Sequence, residues 1–151
     1  MHIIEDDLTG PEIRALLETH FAGMLANSPA GSCHFLDFDG LNAPDVTFWS
    51  IWDGESLAGC GALKELSPEH GEIKSMRTHA NHLRKGIGAM MLTHIISEAR
   101  ERGYRRLSLE TGSTGAFIPA LALYEAHRFQ FCPPFGDYFE DPFSRFMTLA
   151  L

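Results

Sequence analysis

Apolar positions recur every three to four residues through Ile13, Leu16, Leu17, Phe21, Met24 and Leu25, which predicts a helix buried along one stripe. Thr9-Gly10-Pro11-Glu12 reads as its capping box with proline in the first turn, and Asn27 to Gly31 ends it. The period then changes to two. Val46 to Trp52 alternates as a strand, Asp53-Gly54 is a hairpin signal, and Leu57 to Leu66 supplies the partner. A second turn at Ser67-Pro68-Glu69-His70-Gly71 leads to Glu72 to Thr78, giving a three-stranded antiparallel meander. Helical periodicity returns from about Gly86 to Arg102, with Ile87, Met90, Met91, Ile95, Ile96 and Ala99 on its apolar face and Gly103 closing it. Arg106 to Glu110 is the next strand, and a crossover of this length implies parallel pairing with Glu72 to Thr78. A helix from about Ile118 to His127, the segment Phe129-Gln130-Phe131 and a strand from about Arg145 to Leu151 complete the order.

Two stretches follow neither period. Ser28 to Asp45, with Pro29, Gly31, Gly40 and Pro44 around Phe35, Leu36 and Phe38, reads as an irregular or short-helical lid. Its length points to function, because structureless connections beyond about 12 to 15 residues are uncommon in compact domains. The other is Leu83-Arg84-Lys85-Gly86-Ile87-Gly88-Ala89, between a strand and an amphipathic helix. Its glycines permit a tight turn with exposed N–H groups, and the helix start adds unpaired donors and the positive end of a dipole. That arrangement suits a phosphate, with Arg84 and Lys85 at hand; the alternative is a turn that only starts a helix.

At 151 residues and 44% hydrophobic content the chain is expected to form one domain, residues 1–151. No run reaches the roughly 18 apolar residues that span a bilayer. The acidic start, Met1-His2-Ile3-Ile4-Glu5-Asp6-Asp7, is unlike a secretory signal, so no membrane and a cytoplasmic location are expected. Cys33, Cys60 and Cys132 fit neither a disulfide framework nor a paired metal spacing and read as reduced packing residues. His79 and His82 lack the further ligands that would complete a site, so no metal is expected. A net charge of -8 argues against a nucleic-acid surface and mildly favours an amine-bearing partner.

The chain resembles the GNAT superfamily of N-acetyltransferases, of the bacterial small-molecule type, over nearly all of its length. The glycine loop matches the family's phosphate pattern at Gly86 and Gly88, with Leu83 where the family carries Arg or Gln. Glu72-Ile73-Lys74-Ser75-Met76-Arg77-Thr78 is similar to the strand that in such enzymes splays from its neighbour and offers main-chain groups to a pantetheine arm. Leu107-Ser108-Leu109-Glu110-Thr111-Gly112, then Ala122-Leu123-Tyr124-Glu125, resembles the next strand and the tyrosine-bearing helix. Arg128-Phe129 stands where the family has Gly-Phe; a left-handed backbone there would cost Arg128 roughly 1 kcal/mol relative to glycine. The resemblance implies a GNAT-like α/β (α+β) fold: a mixed, mainly antiparallel twisted sheet of about six to seven strands with a central parallel pair, flanked by about four helices. It also implies acetyl-CoA as cosubstrate and a small-molecule primary amine as acceptor, in a direct ternary complex. A non-catalytic acyl-CoA-binding module and a protein N-acetyltransferase are the alternatives, and a nucleotide-hydrolysing P-loop is excluded because its glycine-lysine motif is missing.

The resemblance assigns the pyrophosphate to Arg84, Lys85, Gly86, Ile87, Gly88 and Ala89, beside Leu83, and the arm to Met76, Arg77 and Thr78. An alkyl ammonium of pKa near 10 must lose its proton to attack, at a cost of roughly 4 kcal/mol at neutral pH if left to solution, and a base near the amine would offset part of it. Glu72 is the first candidate, since it starts the strand approaching the thioester, and Glu110 at the end of the parallel strand is the second. Tyr124 is the candidate acid for the departing thiolate. Acceptor binding is expected from Phe35, Phe38, Trp49, Trp52, Phe135, Tyr138 and Phe139, with Arg77 or Arg145 able to hold a carboxylate bidentately. Phe139, Phe143 and Phe146 suit either a homodimer contact or a pocket lining.

Overall fold

Strand β2 (Val46–Asp53) is apolar on both faces, with Phe48 on one and Trp49 and Ile51 on the other, and so belongs in the middle of three layers. The computed structural model describes residues 1–151 and places it there. Around it the chain runs β1 (His2–Glu5), α1 (Pro11–Asn27), α2 (Phe38–Leu41), β2, β3 (Ser56–Ser67), β4 (His70–Thr78), α3 (Ile87–Glu101), β5 (Arg106–Thr111), α4 (Ile118–Ala126), β6 (Gln130–Phe131) and β7 (Arg145–Ala150). Single 3-10 turns at Ala80–His82 and Gly115–Phe117 precede α3 and α4. The strands form one seven-stranded sheet in the order β1-β2-β3-β4-β5-β7-β6, antiparallel except for the central β4–β5 pair. The expected strand-helix-strand crossover and its parallel pairing are therefore present. No helix is long and apolar enough to cross a membrane.

One face of the sheet is covered by α3, whose Ile87, Met91, Leu92, Ile95 and Ala99 pack on Ile51, Leu63, Ile73, Leu107 and Met147. Tyr124 and Phe129 extend this core. The opposite face carries Ile13, Leu16 and Leu17 of α1 against Leu41, Phe48, Leu57, Cys60 and Ala62. The helix α3 lies hard against β3 because Gly61 has no side chain: a Cβ there would sit 2.7 Å from Met91 and 2.8 Å from Met76. Arg128 leaves α4 at φ 70°, the left-handed position where glycine is the relaxed residue.

Two local readings are corrected. The capping box does not form: Gly10 is the N-cap of α1 without a side-chain bond, because Thr9 donates its hydroxyl to Asp7 Oδ1 at 2.6 Å instead. The first residues, read only as an acidic start, form β1 against β2. Most of β1 is exposed, so its composition carries no burial alternation to recognise.

Candidate active site

The parallel pair that joins the halves of the sheet is short. β4 and β5 are in register only at His70 with Arg106, Gly71 with Leu107 and Glu72 with Ser108; beyond Glu72 they part. A bulge drives the divergence: Cys60 faces Arg77 and Ala62 faces Lys74, so Gly61 opposes two residues of β4. Ser75 takes the left-handed conformation at φ 57° that the bulge requires, and its carbonyl accepts from Cys60 Sγ at 3.3 Å. Burial pushes the Cys60 thiol up to about 12, so it is a packing residue, not a nucleophile.

The gap between the diverging strands holds two cavities that share Met76, Ala120 and Tyr124. The larger, about 200 Å³, runs along Met76, Arg77 and Thr78 toward Ile87 and Gly88 at the start of α3. There the turn that contains Arg84 at φ 62° and Gly86 at φ 77° delivers the chain into α3. Gly86 offers no side-chain cap, and the helix's first backbone bond runs from Met90 N–H to the Gly86 carbonyl. The N–H groups of Ile87, Gly88 and Ala89 are thus left for an anion, beside exposed Arg84 and Lys85. Leu83, 58% exposed, borders an adjoining groove of about 740 Å³ under α1.

The second cavity, about 100 Å³, lies on the α1 side and is lined by His20, His34, Phe35, Lys74, Ser75, Glu110, Phe117 and Tyr124, among others. Its floor is a closed polar cluster. Lys74 Nζ donates to the Tyr138 hydroxyl at 2.8 Å and sits 3.3 Å from Glu72 Oε2, while Tyr138 donates to the same carboxylate oxygen at 2.5 Å. Glu72 is 3% exposed, so the pair and the phenol neutralise and satisfy one another within the protein. Glu110 is different: burial pushes its carboxyl up to about 7, against the opposing pull of Lys74 and Ser144. Tyr124, also buried, is pushed above the ordinary phenol range by burial and then by the neighbouring Glu110 charge. Tyr138 is raised for the same two reasons, with Glu72 as the charge.

The structure therefore brings Tyr124, Glu110, Phe35, Met76, Arg77, Thr78 and the glycine turn to one cleft, with Glu72 and Tyr138 beneath it. It does not bring Trp49 or Arg145. Trp49 points to the other face of β2, packed edge-on against His94 at 5.1 Å, because alternation puts it with Ile51 under α3. Arg145 is held outside, its guanidinium donating to the Pro142 and Ser144 carbonyls. Phe38 packs on Phe21 beneath Arg14, Trp52 bonds to Ser50, and Phe139 is 81% exposed. Phe135 supports the site indirectly, edge-on against Tyr138 at 5.2 Å. Lys74, His20 and His34 are in the cavity wall without having been singled out. For Lys74 the available signal was its place two residues after Glu72, on the same face of the same strand.

The acetyltransferase (GNAT) family model matches residues 12–129. The chain is 58% identical over 151 residues, the whole of both proteins, to the uncharacterized N-acetyltransferase YsnE of Bacillus subtilis (strain 168). It is 52% identical over 146 residues, covering 97% of this chain and 92% of the relative, to the uncharacterized N-acetyltransferase YedL of Escherichia coli (strain K12). An IAA acetyltransferase of Azospirillum brasilense is 38% identical over 124 residues, covering 82% and 80%. Among solved structures, one from Klebsiella pneumoniae assigned as an acyl-CoA N-acyltransferase superposes with TM-score 0.80 at 26% identity, covering 99% and 97%. A Bacillus subtilis acetyltransferase in complex with CoA shares the fold at TM-score 0.72 and 19% identity, covering 99% and 98%.

Proposed function

Because this chain belongs to the GNAT acetyltransferase family and is an N-acetyltransferase, we propose that it passes the acetyl group of acetyl-CoA directly to a primary amine of a small molecule. One observation carries the reading: two cavities meet at Tyr124, one leading to an uncapped helix start and the other walled by a carboxyl poised near neutrality.

The residues fit the cosubstrate. The free N–H groups of Ile87, Gly88 and Ala89, with Arg84 and Lys85, would hold its pyrophosphate, and the open edge of Met76 to Thr78 would face its arm. Acetyl-CoA supplies the activated acetyl group. Glu110 is the base. Raised to about 7, it is ionised enough to accept a proton from the incoming ammonium and basic enough to hold it. Its nitrogen lone pair freed, the amine bonds the acetyl carbon as the carbon–sulfur bond breaks. Tyr124, kept protonated by its burial, gives its proton to the departing sulfur and takes back the one held by the neighbouring Glu110, while the nitrogen's surplus proton leaves for solvent. Glu72 is a positioning residue, because Lys74 and Tyr138 already occupy its carboxylate. A cavity of about 100 Å³ supports a small acceptor.

The test is a calorimetric titration with acetyl-CoA, using desulfo-CoA, ATP and NAD as comparisons, followed by an amine screen with wild type and Tyr124→Phe. One-site binding of acetyl-CoA with no ATP or NAD binding is expected, with turnover that the variant loses. Preference for NAD, or no binding of acetyl-CoA, refutes the proposal.

A further inference from the structure

The middle of α1 contains a glycine, which weakens a helix and so asks for a reason. A Cβ at Gly23 would lie 3.2 Å from Nη1 and 3.7 Å from Nη2 of Arg77. The bare helix backbone is thus the notch in which that guanidinium rests. The side chains of Arg14, Arg102, Arg106 and Arg145 all donate to groups of the protein, whereas the guanidinium of half-buried Arg77 makes no hydrogen bond or ion pair. One turn earlier on the same helix face stands His20, 6% exposed, with its Nδ1 buried and without a partner. Burial and the Arg77 charge lower its pKa to about 4, so the imidazole is neutral and has one N–H to give. An unpaired guanidinium, and an imidazole whose one ring N–H meets no acceptor on either nitrogen, are both donors that the protein leaves unused.

These two residues straddle the reaction cleft. Arg77 lines the cavity along β4, and His20 lines the one that contains Glu110. The other cation there, Lys74, is already taken by Glu72 and Tyr138, which leaves Arg77 as the cation of β4 without a partner in the protein.

We infer that Arg77 and His20 form a carboxylate-binding subsite, and that the acceptor is an amino acid or similar small amine carrying a carboxylate. The guanidinium receives the carboxylate through its two-pronged fork, His20 adds a third donor, and the amine end is left toward Glu110. This deepens the function proposed above and rests on it.

The test uses the full chain saturated with CoA and titrated calorimetrically with N-acetylglycine, N-acetyl-L-methionine and N-acetyl-L-phenylalanine, each against its carboxamide. At least one acid is expected to bind about 10- to 100-fold more tightly than its amide. Since the arm would meet β4 through main-chain groups, which the substitution keeps, Arg77→Leu should erase that preference and leave CoA affinity within about twofold, while Arg77→Lys, which keeps the charge without the fork, should restore part of it. Acids that bind no better than their amides, or not at all, overturn the inference alone. So does an Arg77→Leu variant that loses CoA affinity, because the guanidinium then serves the cosubstrate. Failure of the wild type to bind CoA overturns the proposed function and the subsite together.

Discussion

Replacing Glu110 by glutamine should have opposite effects on stability and on rate. The carboxyl has a pKa of about 7 in the folded protein against 4.5 in the open chain, because burial disfavours its ionised form. A group whose folded pKa is raised favours the fold while protonated, and that contribution is lost as pH rises from the unfolded value through the folded one. Across this span of about 2.5 units, at 1.36 kcal/mol per unit, the ionised carboxylate costs on the order of 3 kcal/mol at pH 8. Glutamine has nearly the same shape and no charge. Glu110→Gln should therefore raise Tm at pH 8 by as much as about 6 to 12 °C in a chain of this size, a gain that shrinks toward pH 5. Activity should go the other way. Wild-type kcat/KM should rise with pH to a plateau above an apparent pKa near 7, and the variant should lose that limb along with about 100-fold or more in kcat. Differential scanning calorimetry at several pH values and steady-state kinetics across the same range check both halves. A variant with kcat within about threefold of wild type and the same acidic limb refutes Glu110 as the base. One with no stability gain at pH 8 refutes the raised pKa.

Tyr124→Phe should lower kcat by about 100-fold without changing CoA affinity; a matched loss of binding in calorimetry would instead make the hydroxyl a ligand contact. Tyr138→Phe strips Glu72 and Lys74 of their shared phenol and should cost about 1 to 3 kcal/mol in urea unfolding, and a neutral result would show that the cluster is not sealed. Gly61→Ala places a methyl 2.7 Å from Met91 and 3.0 Å from Ile95, so a loss of about 1 to 3 kcal/mol by the same assay is expected, with no loss meaning that α3 can lift from the sheet freely. Arg128→Gly should gain up to about 1 kcal/mol by relieving the φ of 70°; a loss would mean that its exposed side chain makes a contact worth more than the strain.

What could be read from the chain beforehand is what periodicity and turn chemistry encode. The meander, the crossover, the parallel pair and the glycine turn before α3 were all legible, because each depends on residues close together in sequence. Trp49 was misplaced for the opposite reason: alternation says that neighbours face opposite ways but not which way is the cleft, and β2 is buried on both sides. Arg145 fits a carboxylate by its chemistry, yet the loop before it supplies carbonyls that take its guanidinium. Position alone points to Glu72 as the better base, and what occupies its carboxylate is Tyr138, 66 residues further on. Lys74 was passed over because lysine is ordinarily a surface residue, and its 9% side-chain exposure depends on that same distant phenol. Distances of that kind leave no mark on local pattern.

Three residue pairs hold β4 to β5, so the seven strands behave as two leaves bound along a short spine, β1 to β4 on one side and β5, β7 and β6 on the other. Backbone groups on the facing edge of β4 past Glu72 have no strand to pair with, and a sheet left unlaced at its centre is most compliant there. A molecule that bonds along that edge stands in for the absent length of strand and braces the leaves against each other. Stiffness along that spine should consequently rise when the cleft is loaded.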